Sequence, residues 1–297
     1  MASSPEPAAP PLRWLLDGRE GGCLDPLDRG LQYGDGLFET VAVWRGRPLL
    51  WERHLARLAA GCRRLGLPLP GPASLAEEAR RLCAGVGRGV LKVVLTRGSG
   101  GRGYAPPVPS RPRRLLSLHP WPPWPAAWWR EGVRVRWCGL RLAEQPALAG
   151  LKHLGRLEQV LARGEWEDPA VAEGLLLDRR GRVAEGTATN LLVLRGGRLL
   201  SPALEGCGVA GVIRGLILEE AAPALGLAAA LAPLRPRDLE GAEGLALCNS
   251  LVGLWPVREL AGRPVPVPPL WARLQAWLLA RGACPPVEGL VEAEGGA

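Results

Sequence analysis

Lysine is almost missing from this chain. Among 297 residues and 37 Lys plus Arg, only Lys92 and Lys152 are lysines. Arg supplies positive charge everywhere else, so charge alone does not account for these two. A guanidinium stays protonated and delocalised and cannot act as an amine. A desolvated lysine can lose its proton and attack a carbonyl. A retained surface cation is the plainer reading, and composition leaves both open. Phe38 is the only Phe, and Tyr33 and Tyr104 are the only Tyr, against 12 Trp. The 7 Cys lie at irregular spacings with no CxxC pair, which argues against a disulfide framework or a zinc site. A reduced, cytoplasmic setting is expected. No apolar run reaches about 18 residues, so no membrane span is expected. The opening MASSPEPAAPP has no basic stretch followed by an apolar one, so it does not read as a secretory signal.

The net charge of +8 raises the question of nucleic acid. The Arg residues are dispersed, however, and alternate with acids, with no basic run interleaved with aromatics. No nucleic-acid partner is expected; the charge is read as background with some attraction for anionic substrates. No internal repeat and no metal-ligand cluster stand out.

The length allows one large or two modest domains, and 47% apolar residues suffice for a core. Leu12–Leu16 with the Asp17-Gly18 turn suggests an opening hairpin. Gly34–Trp44 reads as a glycine turn and a strand. Leu50–Leu65 and Ser74–Cys83 read as amphipathic helices, and Gly89–Gly98 as a buried strand. The glycine-rich Arg97–Pro107 follows; such loops can hold anions through exposed N–H groups. Pro blocks regular ladders in His119–Trp129, which reads as a linker whose Trp residues pack or cover. After Lys152, apolar residues at Leu154, Leu157, Val160 and Leu161 have helical spacing, with the polar positions on the other side. Lys152 therefore lies on a junction just before a helix, where chemistry is commonly carried. Gly174–Asp178 and Arg182–Glu185 flank a hairpin turn. Cys207–Ala221 is a glycine turn entering a helix, whose first N–H groups, at Val212 and Ile213, favour phosphate. Leu245–Asn249 reads as a strand and Pro269–Ala280 as a terminal helix. The expectation is an α+β chain: a tail at 1–11, a small domain at 12–118, a linker at 119–127, a larger domain at 128–284 and a loose tail at 285–297.

The segment GLKHLGRLEQVLAR resembles the lysine segment of the aminodeoxychorismate lyase family. That family is a branch of the fold-type IV pyridoxal-phosphate (PLP) enzymes, alongside branched-chain and D-amino-acid aminotransferases. The resemblance runs from about Leu12 to Val257. It implies two domains with PLP between them, a homodimer, and conversion of 4-amino-4-deoxychorismate to 4-aminobenzoate and pyruvate. An aminotransferase on the same scaffold is the alternative. Lys152 would carry the cofactor and move the proton. Glu185, in EGTATN, would pair with the pyridine nitrogen and make the ring an electron sink. HLAR assigns Arg57 to the phosphate, with the backbones of Val212 and Ile213, and with Ser250 and the Leu251 backbone. RGLQYGDGLFET places Phe38 and Thr40 near the cofactor, with the Thr40 hydroxyl in proton transfer. LKVVLTRGSGGRGY makes Arg97, Arg102 and Tyr104 candidates for the substrate carboxylates. Gly155, Leu192 and Ser201 depart from the family pattern, where Asn, an aromatic and Thr are usual.

Overall fold

In the computed structural model, residues 12–287 are described; the expected tail at 1–11 lies outside them, as does most of the one at 285–297. The chain divides into two compact units between Pro123 and Trp124.

The first unit contains β1 (Arg13–Leu16), α1 (Arg29–Tyr33), β2 (Gly36–Trp44), β3 (Arg47–Pro48), α2 (Trp51–Leu65), α3 (Pro72–Cys83), β4 (Arg88–Thr96) and β5 (Arg113–His119). Its five strands run in the order β1-β5-β4-β2-β3, all antiparallel. The opening segment does not form a hairpin of its own. β1 pairs with β5 across most of the unit, and its local return is one bridge, Leu16 to Arg19. Alternation along β2 sends Leu37, Glu39, Val41 and Val43 to one face and Phe38 and Thr40 to the other. Leu37, Val41 and Val43 of the first set pack with Leu58 and Cys62 of α2 and Leu75, Ala79 and Leu82 of α3. Gly61 is required there: a Cβ would sit 2.7 Å from the Leu37 side chain.

The second unit begins with α4 (Ala127–Arg130), then β6 (Val133–Leu142), α5 (Leu157–Arg163), β7 (Val171–Asp178), β8 (Val183–Gly186), β9 (Asn190–Arg195) and β10 (Arg198–Pro202). There follow α6 (Val212–Leu216), a π-helical turn over Ile217–Ala221, α7 (Ala222–Ala224), β11 (Ala229–Ala232), α8 (Pro236–Leu239), β12 (Gly244–Asn249), β13 (Gly253–Leu260), β14 (Arg263–Pro264) and α9 (Leu270–Ala280). Its nine-stranded mixed sheet runs β11-β10-β9-β12-β13-β6-β7-β8, with β14 on β13. The expected hairpin is β7–β8, turned through Gly181 at φ 72°. The Trp-rich stretch packs as anticipated. Trp124, Trp128 and Trp129 meet Trp255 of β13 edge to face at 5.2, 5.0 and 5.4 Å. Val287 is also buried in this core, which corrects the loose reading of residues 285–287.

α5 departs from expectation. Its buried residue is Ala162, while Leu157, Val160 and Leu161 are 77%, 63% and 64% exposed. The apolar periodicity is real, but among the described residues nothing covers that face.

Trp255 anchors three indoles, so Trp255→Ala should cost about 3–5 kcal/mol. Denaturant unfolding measures this; a loss below about 1 kcal/mol would mean the cluster relaxes into the gap.

Candidate active site

In the second unit, three segments meet around one carboxylate. Glu185 on β8 is 4% exposed, and its Oε2 accepts the Val209 N–H at 2.8 Å. Val209 belongs to the loop before α6. That loop bridges in parallel to Gly150, with Gly150 N–H donating to Gly208 O at 2.8 Å and Ala210 N–H to Gly150 O at 3.1 Å. Gly150 takes φ 80°, a left-handed turn suited to glycine, and Lys152 leaves that turn half-buried. Burial pushes the Glu185 carboxyl up to about 7, against the Val209 N–H and the charges of Arg156 and Lys152, with Glu173 adding repulsion. Lys152 and Glu185 therefore share one electrostatic neighbourhood.

Neighbouring residues build this frame. Asn190 Nδ2 donates to Val209 O at 2.9 Å. A Cβ on Gly211 would lie 2.0 Å from Asn190 Oδ1, so only glycine passes. Gly211 caps α6 without a side-chain bond, leaving the first-turn N–H groups of Val212 and Ile213 to an acceptor outside the helix. Arg214 Nε donates to Ser201 Oγ at 2.7 Å, and that hydroxyl donates to Leu191 O at 2.8 Å. Ser201 thus keeps the hydroxyl that Thr would bring, and Leu192 is fully buried.

Sequence reasoning missed Glu173. Its carboxylate accepts from the backbones of Gly174, Thr187 and Ala188 and from the hydroxyls of Thr187 and Thr189. It thereby fixes the TAT of EGTATN. Asn249 Nδ2 donates to Ala188 O at 3.1 Å, which ties the turn carrying Ser250 to the same loop. The Leu251 backbone, assigned to the phosphate by the resemblance, lies in the same turn. Its N–H donates to Asn249 Oδ1 at 2.9 Å. Ser250 lies half-buried in that turn.

In the first unit, Arg57 on α2 bonds both oxygens of Glu39, with Nε to Oε1 at 2.8 Å and Nη2 to Oε2. His54 Nδ1 lies 2.6 Å from Oε2. Burial would raise the Glu39 carboxyl, yet Arg57 and His54 carry it down to about 2. On the other face of β2, Thr40 stands opposite Lys92 and Lys92 opposite Ser117. The Lys92 amine is 5.6 Å from the Phe38 ring. Arg97 is corrected as a carboxylate ligand. It is 6% exposed and donates to Asp35 Oδ2 at 2.7 Å, Gly66 O at 2.9 Å and Leu65 O at 2.8 Å. Arg102 and Tyr104 remain exposed on a loop that Arg29 holds by the carbonyls of Gly103, Tyr104 and Ala105. Among the described residues, no cluster of three His, Cys, Asp or Glu could hold a metal.

A buried carboxyl held near 7 beside two cations suits a protonated ring nitrogen, and an uncapped helix start suits a phosphate. The residues present fit PLP on both counts.

The family profile for amino-transferase class IV matches residues 36–260. The chain belongs to this family. It is 34% identical over 234 residues to an aminodeoxychorismate lyase of Vibrio harveyi, covering 79% of this chain and 86% of that protein. A crystal structure of 4-amino-4-deoxychorismate lyase from Pseudomonas aeruginosa is 52% identical with TM-score 0.86, covering 90% of this chain and 98% of that one. A putative branched-chain-amino-acid aminotransferase of Methanocaldococcus jannaschii is 28% identical, covering 80% and 83%.

In cofactor-free protein, burial holds the folded Glu185 carboxyl near 7, against about 4.3 unfolded. Its contribution to stability is therefore fully present below about 4.3 and lost as pH rises through about 7. Gln carries no such loss. Glu185→Gln should gain on the parent between pH 5 and 8 by at most on the order of 3 kcal/mol. Melting temperatures across that range measure it, and a pH-independent difference would refute the raised value.

Proposed function

We propose that this chain is a PLP-dependent lyase converting 4-amino-4-deoxychorismate to 4-aminobenzoate and pyruvate, a step of folate biosynthesis. The observation that carries it is Lys152 held beside Glu185 by the Gly150–Val209 bridge, in a chain 52% identical to a lyase of that specificity. Bound PLP supplies a ring that takes up the electron pair released at the substrate carbon. Lys152 would hold the cofactor, and its amine would take the proton from the amine-bearing carbon of the substrate. The Glu185 carboxylate keeps the ring nitrogen protonated. The N–H groups of Val212 and Ile213 and the Ser250 hydroxyl bind the phosphate. Arg57 is assigned to the phosphate and Thr40 to proton transfer by the resemblance. Arg102 and Tyr104 are the remaining candidates for the substrate carboxylates. The carbon–oxygen bond breaks, the enolpyruvyl group leaves and is protonated to pyruvate, and aromatisation drives the step.

The enzyme should release 4-aminobenzoate and pyruvate in equal amounts with no 2-oxo acid present. Borohydride reduction followed by peptide mapping should place the pyridoxyl group on Lys152. If no aromatic product forms, while an amino acid converts the bound cofactor to its pyridoxamine form and a 2-oxo acid restores it, the chain is an aminotransferase. A label on Lys92 overturns the site.

Seven free thiols, several of them buried, fit a reducing compartment, and we place the protein in the cytoplasm. Among the described residues no helix is long and apolar enough to cross a membrane. The exposed Leu157, Val160 and Leu161 support a homodimer, since burying each side chain is worth about 1.5–3 kcal/mol. Leu157→Glu combined with Leu161→Glu should lower the mass measured by light scattering from dimer to monomer. A parent that is monomeric at micromolar concentration refutes the assembly.

A further inference from the structure

Lys152 has two tasks in the proposed reaction, carrying the cofactor and then moving a proton. Both need the amine to return to the same place while its attachment changes. Only side-chain torsions should move, so the backbone on either side must be held.

One side chain holds both neighbours. Arg156, the residue before α5, donates from Nε to His153 O at 2.8 Å and from Nη2 to Leu151 O at 3.0 Å. These are the carbonyls on either side of Lys152. The planar guanidinium offers donors in a fixed fork, which suits two acceptors two residues apart. A lysine at this position has one nitrogen and cannot present that fork.

The charge of Arg156 also acts locally. Burial presses against it, while the carboxylates of Glu185 and Glu158 support it. The same cation helps keep Glu185 ionised. Together with burial it depresses the His153 imidazole to about 4, so His153 is neutral at working pH. Around Arg156 the charged and titratable groups are therefore Lys152, His153, Glu158, Glu185 and, through Glu185, Glu173.

We propose that Arg156 is the positioning residue of Lys152: its fork clamps the carbonyls on both sides of the lysine, and its charge balances the Glu185 carboxylate. This rests on the reading of Lys152 as the cofactor-bearing residue.

Two variants of the holoenzyme separate clamp from charge. Arg156→Lys keeps the charge and loses the fork; Arg156→Gln loses both. Both should retain bound cofactor and a pyridoxyl label on Lys152 after borohydride. Both should lose kcat by about 10- to 100-fold, the scale of a small misplacement, while KM changes by less than about threefold. The pH midpoint of the bound cofactor's absorbance should move in Arg156→Gln and stay at the parental value in Arg156→Lys. A merely structural residue would leave that midpoint unmoved in both. Parental kcat in Arg156→Lys overturns the clamp, and a parental midpoint in Arg156→Gln overturns the charge role. If Arg156→Gln fails to fold, Arg156→Lys still decides the clamp by its kcat, and the charge role then rests on Glu158→Gln, which should shift the same midpoint and overturns it otherwise. A label away from Lys152 in the parent overturns the site reading itself, and the Arg156 proposal falls with it.

Discussion

A carboxylate taken out of water must find compensation or take a proton. Glu185 finds partial compensation: one backbone N–H from Val209 and the fields of Arg156 and Lys152, against the opposing field of Glu173. The balance leaves it near 7, poised between forms and ready for a cationic hydrogen-bond donor. The surrounding architecture depends on that arrangement. Val209 must present its N–H, so its loop must lie flat against β8. That requires Gly208 at φ 81°, where a Cβ would press on the Glu185 carboxyl at 3.3 Å. It also requires Asn190 to hold the Val209 carbonyl from the other side.

Glu39 shows the opposite outcome from the same burial. Arg57 takes both its oxygens in a fork and His54 adds a third contact, so the carboxyl falls to about 2. Two buried carboxylates thus differ by the completeness of their partners. Glu39 is a finished ion-pair network that orients Arg57. Glu185 is unfinished, and strongly perturbed, incompletely partnered groups concentrate at functional sites.

Much of this was legible in the sequence, where the residue type itself carries the chemistry. Lys152 stood out because an amine has no substitute, whereas the demand for glycine at Gly150 and Gly211 shows only in their backbone and contacts. The two main helices of the first unit followed from periodicity. What the sequence could not give was which donors are already engaged. Arg97 reads as a free cation in a glycine-rich loop, yet three acceptors in its own unit hold it. The Leu251 N–H reads as open, yet Asn249 curls back to take it. Glu173 is an unremarkable acid in a strand until the fold brings five donors of its own and the TAT segment onto it. Long-range hydrogen bonding decides Arg97 and Glu173, which neither spacing nor composition encodes, while a local side-chain turn decides Leu251.

α5 shows the same limit for packing. Periodicity identifies an apolar face from Leu157 to Leu161, but not what covers it. Among the described residues Ala162 is the buried position of this helix, while Leu157, Val160 and Leu161 stay exposed. Because Arg156 joins that turn to the first residue of α5, whatever holds the helix also holds the clamp on Lys152. A partner on the apolar face would steady Lys152 without touching it. Assembly and catalysis would then share one short segment, residues 150–163, in which the small number of lysines first drew attention and in which the apolar stripe has its exposed side.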